Sequence, residues 1–172
     1  MATEDNAVVR YGCVFCRSGS EEAVARYIGL LYSPIVAFNV YQEKHKSTNG
    51  KRSIIRERIL PGYVFFATDK HCPVDLFLSI SALLKVLRYS NKEWILDGLD
   101  AKYAKWIIDN EGIIRVSEAK RVGDKVIFTS GYLKNYYGNI IKIDKHNRNC
   151  LTQLAFGGVS YRRWIPFVFV DN

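Results

Sequence analysis

Residues 122–143 read VGDKVIFTSGYLKNYYGNIIKI, and the short apolar runs and glycines of this stretch decide the fold of the C-terminal part. Gly123 and Gly131 occur where turns are expected, and Gly138 permits a close approach of two backbones. Similar apolar runs follow it, and the predicted strands are 125–129, 138–143, 151–156, 160–164 and 167–170. This pattern predicts a small, SH3-like, five-stranded β-barrel over residues 121–172.

Upstream of the barrel the pattern changes. The segment 111–120 has few large apolar side chains, and we interpret it as a linker. Residues 8–110 give the order strand, helix, two strands as a hairpin, helix and strand, with a third helix over 97–110. This order is typical of ferredoxin-like domains. The predicted class is therefore α+β, with a ferredoxin-like N-terminal domain followed by the barrel.

Two local signals mark turns in the N-terminal half. Ser18 precedes Glu21 by three residues, which is the spacing of a capping box at the start of a helix. Asn49-Gly50 is a strong hairpin-turn signal, and it lies within a basic, polar tip over residues 44–52. We therefore expect a helix after Ser18 and a hairpin that presents positive charge.

Prolines mark two further boundaries. Pro61-Gly62 is expected to break the chain between a strand over 53–60 and another over 63–67. Pro73 is expected in the first turn of a helix over 74–84, where the missing N–H has no cost.

Positive charge is concentrated near the C-terminal end. The net charge is +8, and residues 117–172 carry nine basic and four acidic side chains, a net of +5. This distribution favours a polyanionic partner over general solubility. No apolar run approaches the roughly 20 residues needed to span a bilayer, and the first residues do not resemble a signal peptide. We therefore expect a cytoplasmic protein that does not bind membranes.

The four cysteines do not predict a metal site. Cys13 and Cys16 form a C-x-x-C, but residues three apart on a strand point to opposite faces and cannot share a metal ion. Cys72 and Cys150 add no second pair. We expect reduced, buried cysteines and neither metal nor cofactor.

Three stretches together resemble one family. Residues 122–143 resemble the KOW motif, 11–19 (YGCVFCRSG) resemble the opening strand of the NusG N-terminal domain, and 60–65 (LPGYVF) resemble its central strand. The resemblance extends from about residue 10 to 170. It implies a NusG-like transcription elongation or antitermination factor with an N-terminal (NGN) domain and a KOW domain.

The resemblance implies docking on the clamp helices of RNA polymerase through an aromatic patch. The matching positions are Phe15, Tyr63 and Phe65. Tyr63 and Phe65 share one face of their strand by alternation, and that face is either the exposed patch or part of the core. The family further implies a monomer that can contact non-template DNA.

The basic C-terminal domain resembles that of specialised LoaP-type antiterminators, which recognise a hairpin in nascent RNA. Cations contact phosphates and tyrosines stack on bases, so we assign RNA binding to both types of side chain in the barrel. The alternative is a solvated surface with structural tyrosines. The candidates are Lys134, Tyr136, Tyr137, Lys142, Lys145, Arg148, Arg162 and Arg163.

No catalytic motif is present in the sequence. It contains no P-loop, no dinucleotide-binding glycine pattern and no nucleophile elbow, and its three histidines lie in separate segments. We therefore expect a binding protein and no enzyme. Two alternatives stay open: a general NusG-like factor without specific RNA binding, and a ribosome-associated KOW protein.

Overall fold

The structure is a computed structural model that describes residues 8–31, 34–69, 72, 74–89, 93–136 and 138–170. The helices are α1 (Glu21–Leu31), a 3₁₀ helix (Val74–Ser79) and α2 (Gly98–Asp109). The strands are β1 (Arg10–Cys16), β2 (Val36–Thr48), β3 (Lys51–Thr68), β4 (Leu83–Val86), β5 (Ile113–Ile114), β6 (Ser117–Val122), β7 (Lys125–Ser130), β8 (Asn139–Asp144), β9 (Asn149–Phe156) and β10 (Val159–Phe169).

The strands form two five-stranded sheets, in the orders β4-β1-β3-β2-β5 and β7-β6-β10-β9-β8. The predicted α+β class is confirmed. The chain divides into two units. The first contains the described residues up to Val40 together with Leu60–Gly112, and the second contains Tyr41–Ile59 and the described residues from Ile113 onward. Among the described residues, no helix has the length and apolar character that crossing a membrane requires.

One face of the first unit's sheet is covered by α1 and the 3₁₀ helix. The buried residues of α1 follow helical spacing at positions 21, 24, 25 and 28, so one stripe of the helix faces the sheet. Val24 and Ile28 belong to the same buried cluster as Val64 and Phe66 of β3. Phe66 packs edge-on against Phe77, with ring centroids 5.3 Å apart. This cluster forms the larger part of the unit's core.

The opposite face of that sheet packs against α2. Cys13 pairs with Phe65 in the β1–β3 ladder, and both are completely buried. Phe65 meets Tyr103 of α2 edge-on at 5.7 Å. Cys16, in contrast, belongs to the buried cluster under α1. Cys13 and Cys16 therefore lie on opposite faces, as the strand periodicity predicts.

The hairpin turn at Asn49-Gly50 is confirmed, since both residues have positive φ (50° and 75°) between β2 and β3. The predicted break at Pro61-Gly62 is wrong, because β3 continues through it to Thr68. The backbone instead bends there, with positive φ at Leu60 (51°) and Gly62 (85°). The local turn signal thus marks a bend within β3, and residues 63–68 beyond the bend pair with β1.

The helix predicted over 74–84 is wrong in type and length. Only a 3₁₀ helix from Val74 to Ser79 forms, and the chain then turns into β4. Pro73 lies outside the described residues. Val74 and Phe77 lie three residues apart within this helix and are both buried, a spacing that matches the three residues per turn of a 3₁₀ helix. Burial of both side chains therefore fits the tighter helix.

Of the segment 111–120, which the sequence suggested as a linker, residues 113–120 lie in the second unit and contain β5 and the first residues of β6, whereas residues 111 and 112 belong to the first unit. Ile114 and Ser117 are buried, and β5 pairs in parallel with β2. The strands predicted over 160–164 and 167–170 form the single strand β10. Pro166 sits where β10 exchanges its antiparallel partner β9 for its parallel partner β6, so the missing N–H interrupts neither ladder.

Candidate functional site

An aromatic pair lies at the end of the β1–β3 ladder. Phe15 and Tyr63 are direct cross-strand partners, and their rings meet edge-on with centroids 5.1 Å apart. Both side chains are partly exposed. The ammonium group of Lys85, on β4, lies 5.7 Å from the Phe15 centroid, which is within range of a cation–π contact. The pair therefore presents aromatic surface beside a positive charge.

Phe65 does not extend this surface, although it lies on the same sheet face. Its side chain is fully buried, because Tyr103 of α2 packs over it. Of the three positions that the sequence assigns to polymerase docking, the structure brings Phe15 and Tyr63 together at the surface and places Phe65 in the core. Alternation identifies the shared face, whereas the position of α2 decides which of its residues are covered.

Glu21 supports the aromatic pair from behind. Its fully buried carboxylate accepts hydrogen bonds from the backbone N–H of Gly19 (2.8 Å) and of Gly62 (2.7 Å). The expected bond from Glu21 back to Ser18 is thus replaced by one to Gly19, and α1 begins after Ser20. Glu21 links the start of α1 to the bend that precedes Tyr63. A Cβ at Gly62 would lie 2.5 Å from the Phe15 ring, so only glycine fits beneath that ring.

In the second unit, several predicted RNA-binding residues share one face of β8, β9 and β10. Lys142 is opposite Leu151, which is in turn opposite Trp164. Arg162 is opposite Gln153 and donates to its side-chain oxygen at 3.2 Å. Lys142 and Arg162 are both exposed. This face combines two cations with the indole ring of Trp164. We call Lys142, Arg162, Leu151 and Gln153 the outer face; Trp164 shares this side of the sheet but also lines the groove described below, and it is counted with that groove.

Two other predicted RNA-binding residues, Arg163 and Lys134, lie apart from this face. Arg163 follows Arg162 and points to the opposite side of the strand, where its charge contributes to lowering the pKa of Glu57, after the larger effect of a hydrogen bond from Lys44. Lys134 is exposed in the turn after β7, and Tyr137 lies outside the described residues. The separation of Arg163 and Lys134 from the outer face means that the structure does not gather the described candidates into one site.

Tyr136 is held by packing. Its ring meets Tyr132 edge-on at 4.9 Å, and it is only partly exposed. Burial raises the pKa of Tyr136, partly offset by its hydrogen bond to Thr152. These contacts fit a structural role better than base stacking.

A second feature of this unit is an open groove of about 1010 Å³ between the β2–β3 hairpin arm and the second sheet. We call it the arm groove. The arm contributes Lys44 and His45, the β8–β9 turn contributes Asp144 and Arg148, and β10 contributes Trp164 and Pro166. Gln42, which is buried, donates to the backbone oxygen of Trp164 at 2.9 Å and ties the arm to β10.

The β8–β9 turn has a defined structure. The Asp144 carboxylate accepts from the backbone N–H and the side-chain amide of Asn147, both at 2.9 Å. These bonds lower the pKa of Asp144. Arg148 adopts a left-handed backbone conformation, with φ of 54°. Lys145 donates to the backbone oxygen of Asp124, so it also helps to fix the turn.

Sequence reasoning identified Arg148 and the basic hairpin tip, but it missed Trp164 and the groove that brings them together. Gln42 and Trp164 are 122 residues apart in the chain. The available signal was the length of the β2–β3 hairpin, whose basic arm exceeds what a minimal sheet requires.

Comparison with known proteins establishes the fold. No protein-family model matches the chain, and no curated protein matches it. Among the similar solved structures is one that concerns domain interaction in NusG from Thermotoga maritima, with a TM-score of 0.54 at 16% sequence identity. The similarity covers 92% of this chain and 94% of that one. The chain therefore has a NusG-like fold.

Proposed function

We propose that this protein is a transcription elongation factor that docks on the clamp helices of RNA polymerase and promotes processive antitermination. Residues 8–110 would act as an NGN domain and residues 121–172 as a KOW domain, joined by the segment 111–120. The NusG-like fold across 92% of the chain supports this assignment. The strand order β4-β1-β3-β2 supports the ferredoxin-like interpretation of the first unit.

One observation carries the docking proposal: the partly exposed Phe15–Tyr63 pair. Partly buried aromatic rings held in a fixed geometry are typical anchors of protein interfaces. The pair is rigid, because Gly62 lies under Phe15 and Glu21 holds the Gly62 amide. A rigid anchor binds without losing side-chain entropy, so it favours affinity.

The test is binding of the full chain to core RNA polymerase. We expect the Phe15→Ala/Tyr63→Ala variant to bind at least about 30-fold more weakly, since truncating an interface hot spot costs about 2 kcal/mol or more. Tyr27→Ala is the matched control, because Tyr27 is an exposed aromatic residue on α1, which covers the other sheet face. Equal binding by both variants would place the docking surface elsewhere.

The second unit is proposed to recognise a hairpin in nascent RNA. The net charge of +5 over residues 117–172 and the exposed cations of the outer face support this. In a transcription assay, we expect read-through of a terminator only when the template encodes the cognate hairpin upstream. Read-through without any hairpin would indicate a general elongation factor, and binding to ribosomes but not polymerase would indicate a ribosome-associated protein.

The remaining elements of the proposal concern setting. We propose a cytoplasmic monomer that acts by binding alone, without catalysis or cofactor, and that contacts non-template DNA when bound to polymerase. Within the described residues, no group of three or more His, Cys, Asp or Glu side chains is placed to hold a metal ion.

A further inference from the structure

We infer that the arm groove binds unpaired nucleotides of RNA, with one base stacked on Trp164 and the adjacent phosphate contacted by Arg148. This inference rests on the RNA-binding part of the proposed function and gives it a location. It adds the hairpin arm, through Lys44 and His45, to a site otherwise assigned to the barrel alone.

Trp164 provides the stacking surface. It is 43% exposed, a high value for an indole ring, and it lines the groove. Its backbone is fixed by pairing with Leu151 and by the hydrogen bond from Gln42. Pro166 follows two residues later on the same face and also lines the groove. A fixed, exposed ring is the common platform for a nucleic-acid base, because every base has a π-face.

Arg148 provides the phosphate contact. Its side chain is exposed and, among the described residues, has no ion-pair partner. Lys44, across the groove, pairs with Glu57 and so contributes less free charge. A planar guanidinium binds phosphate oxygens in bidentate geometry, which suits a single anchored phosphate.

The backbone of Arg148 indicates that its side chain is needed at this position. A left-handed conformation is uncommon for residues other than glycine, and asparagine tolerates it better than arginine. Arg148 lies between Asn147 and Asn149, yet the strained position is occupied by the arginine. Glycine would fit the fold better and would remove the cation, so stability alone does not explain the residue.

The groove dimensions favour unpaired nucleotides over a duplex. Its volume of about 1010 Å³ is at the upper end of small-ligand sites, which span about 300–1,000 Å³, so it accommodates a few nucleotides. Asn147 and Ser53 also line it and can bond the 2′-hydroxyl or base edges. Unpaired loop bases are also the part of an RNA hairpin from which proteins read sequence.

The test measures binding of the full chain to fluorescein-labelled oligonucleotides: a single-stranded RNA, the same sequence as DNA, and a blunt RNA duplex. We expect the single-stranded RNA to bind most tightly. Trp164→Ala should weaken its binding about tenfold with an unchanged salt dependence, since stacking carries no charge. Trp164→Phe should retain most of the affinity, which guards against loss by misfolding.

Arg148→Gly is the decisive variant. It should raise the melting temperature by relieving the left-handed strain, and at the same time weaken RNA binding and reduce the salt slope by about 0.7, the value for one phosphate contact on a single strand. Lys125→Ala, an exposed cation on β7, is the charge-matched control and should change binding little. A merely structural Arg148 would give higher stability and unchanged binding, which would overturn the inference.

Two further outcomes are distinguishable. If Lys142→Ala/Arg162→Ala abolishes binding while the groove variants bind normally, RNA binds the outer face; the inference then fails and the proposed RNA binding stands. If the wild-type chain binds no RNA at low salt, both fail, while docking on polymerase is still judged by its own assay. Equal affinity for RNA and DNA would overturn the assignment to RNA.

Discussion

Removing the Glu21 carboxylate should destabilise the first unit by about 1.5–4.5 kcal/mol. In Glu21→Ala, the buried N–H of Gly62 loses its partner, and an unsatisfied buried donor costs about 1–3 kcal/mol. The second N–H belongs to Gly19, an exposed residue that water can reach, so its loss costs less, about 0.5–1.5 kcal/mol. Glu21→Gln keeps one acceptor oxygen, so its free energy of unfolding should lie between those of the wild-type chain and Glu21→Ala.

The assay is urea unfolding combined with amide hydrogen exchange at Gly62. With a denaturant slope of about 2 kcal/mol per molar, the middle of the usual range, the midpoint should fall by about 0.8–2.3 M. Glu22→Ala is the matched control, because it removes an exposed carboxylate from the same helical turn and so the same dipole interaction. If the two variants unfold at the same urea concentration, the two hydrogen bonds contribute nothing and the reasoning is refuted.

Three further predictions follow from single sites. Gly112→Ala should lower the free energy of unfolding by more than about 2 kcal/mol, since a Cβ there would lie 2.1 Å from a backbone oxygen. Gly50→Ala has a similar positive φ but lies in open space, so it should lower the free energy of unfolding only by the backbone strain of about 1–2 kcal/mol. Equal unfolding midpoints for the two variants would contradict this prediction. The four cysteine thiols should resist a thiol reagent until the chain unfolds, because all four are buried. Burial also raises the pKa of Cys150 to about 11, which disfavours the reactive thiolate. Rapid labelling of the native chain would disprove this prediction. The pKa of Asp144, measured by carboxyl NMR titration, should lie below the ordinary value because Asn147 donates hydrogen bonds to the ionised carboxylate. The ionised carboxylate therefore stabilises the fold above the unfolded pKa of about 3.9, and this stabilisation is lost as the pH falls through the folded pKa. A raised pKa would be inconsistent with the turn.

Local signals predicted local structure well. The Asn49-Gly50 turn needs positive φ at two adjacent residues, and that requirement is visible in the sequence. The opposite faces of Cys13 and Cys16 follow from strand periodicity alone. In these cases the residues that decide the outcome are adjacent in the chain.

The missed features depend on partners far away in the chain. Pro61-Gly62 reads as a break, but the buried carboxylate of Glu21 holds the bend and β1 pairs with the strand beyond it. Alternation places Phe65 and Tyr63 on the same face of β3, so it does not show which of them is buried. Phe65 is covered by Tyr103, which lies some 40 residues later in the chain. No single stretch of sequence contains this information.

The candidate site divides in the same way. The basic character of the second unit and the identity of Arg148 could be predicted from composition. The arm groove could not, because its two walls come from the first and last thirds of the chain, and the ring that lines it reads in sequence as an ordinary strand residue.

The position of β10 has a consequence for how the chain is made. It is central in the second sheet, between β6 and β9, yet it is the last of that sheet's strands to be synthesised. Until residues 159–169 have left the ribosome, β6 and β9 each expose an unpaired strand edge. During that time the hydrogen bond from Gln42 to Trp164 cannot form. The second sheet can therefore be completed only when synthesis is nearly finished. By then about a hundred residues have been added to the chain after the β2–β3 arm.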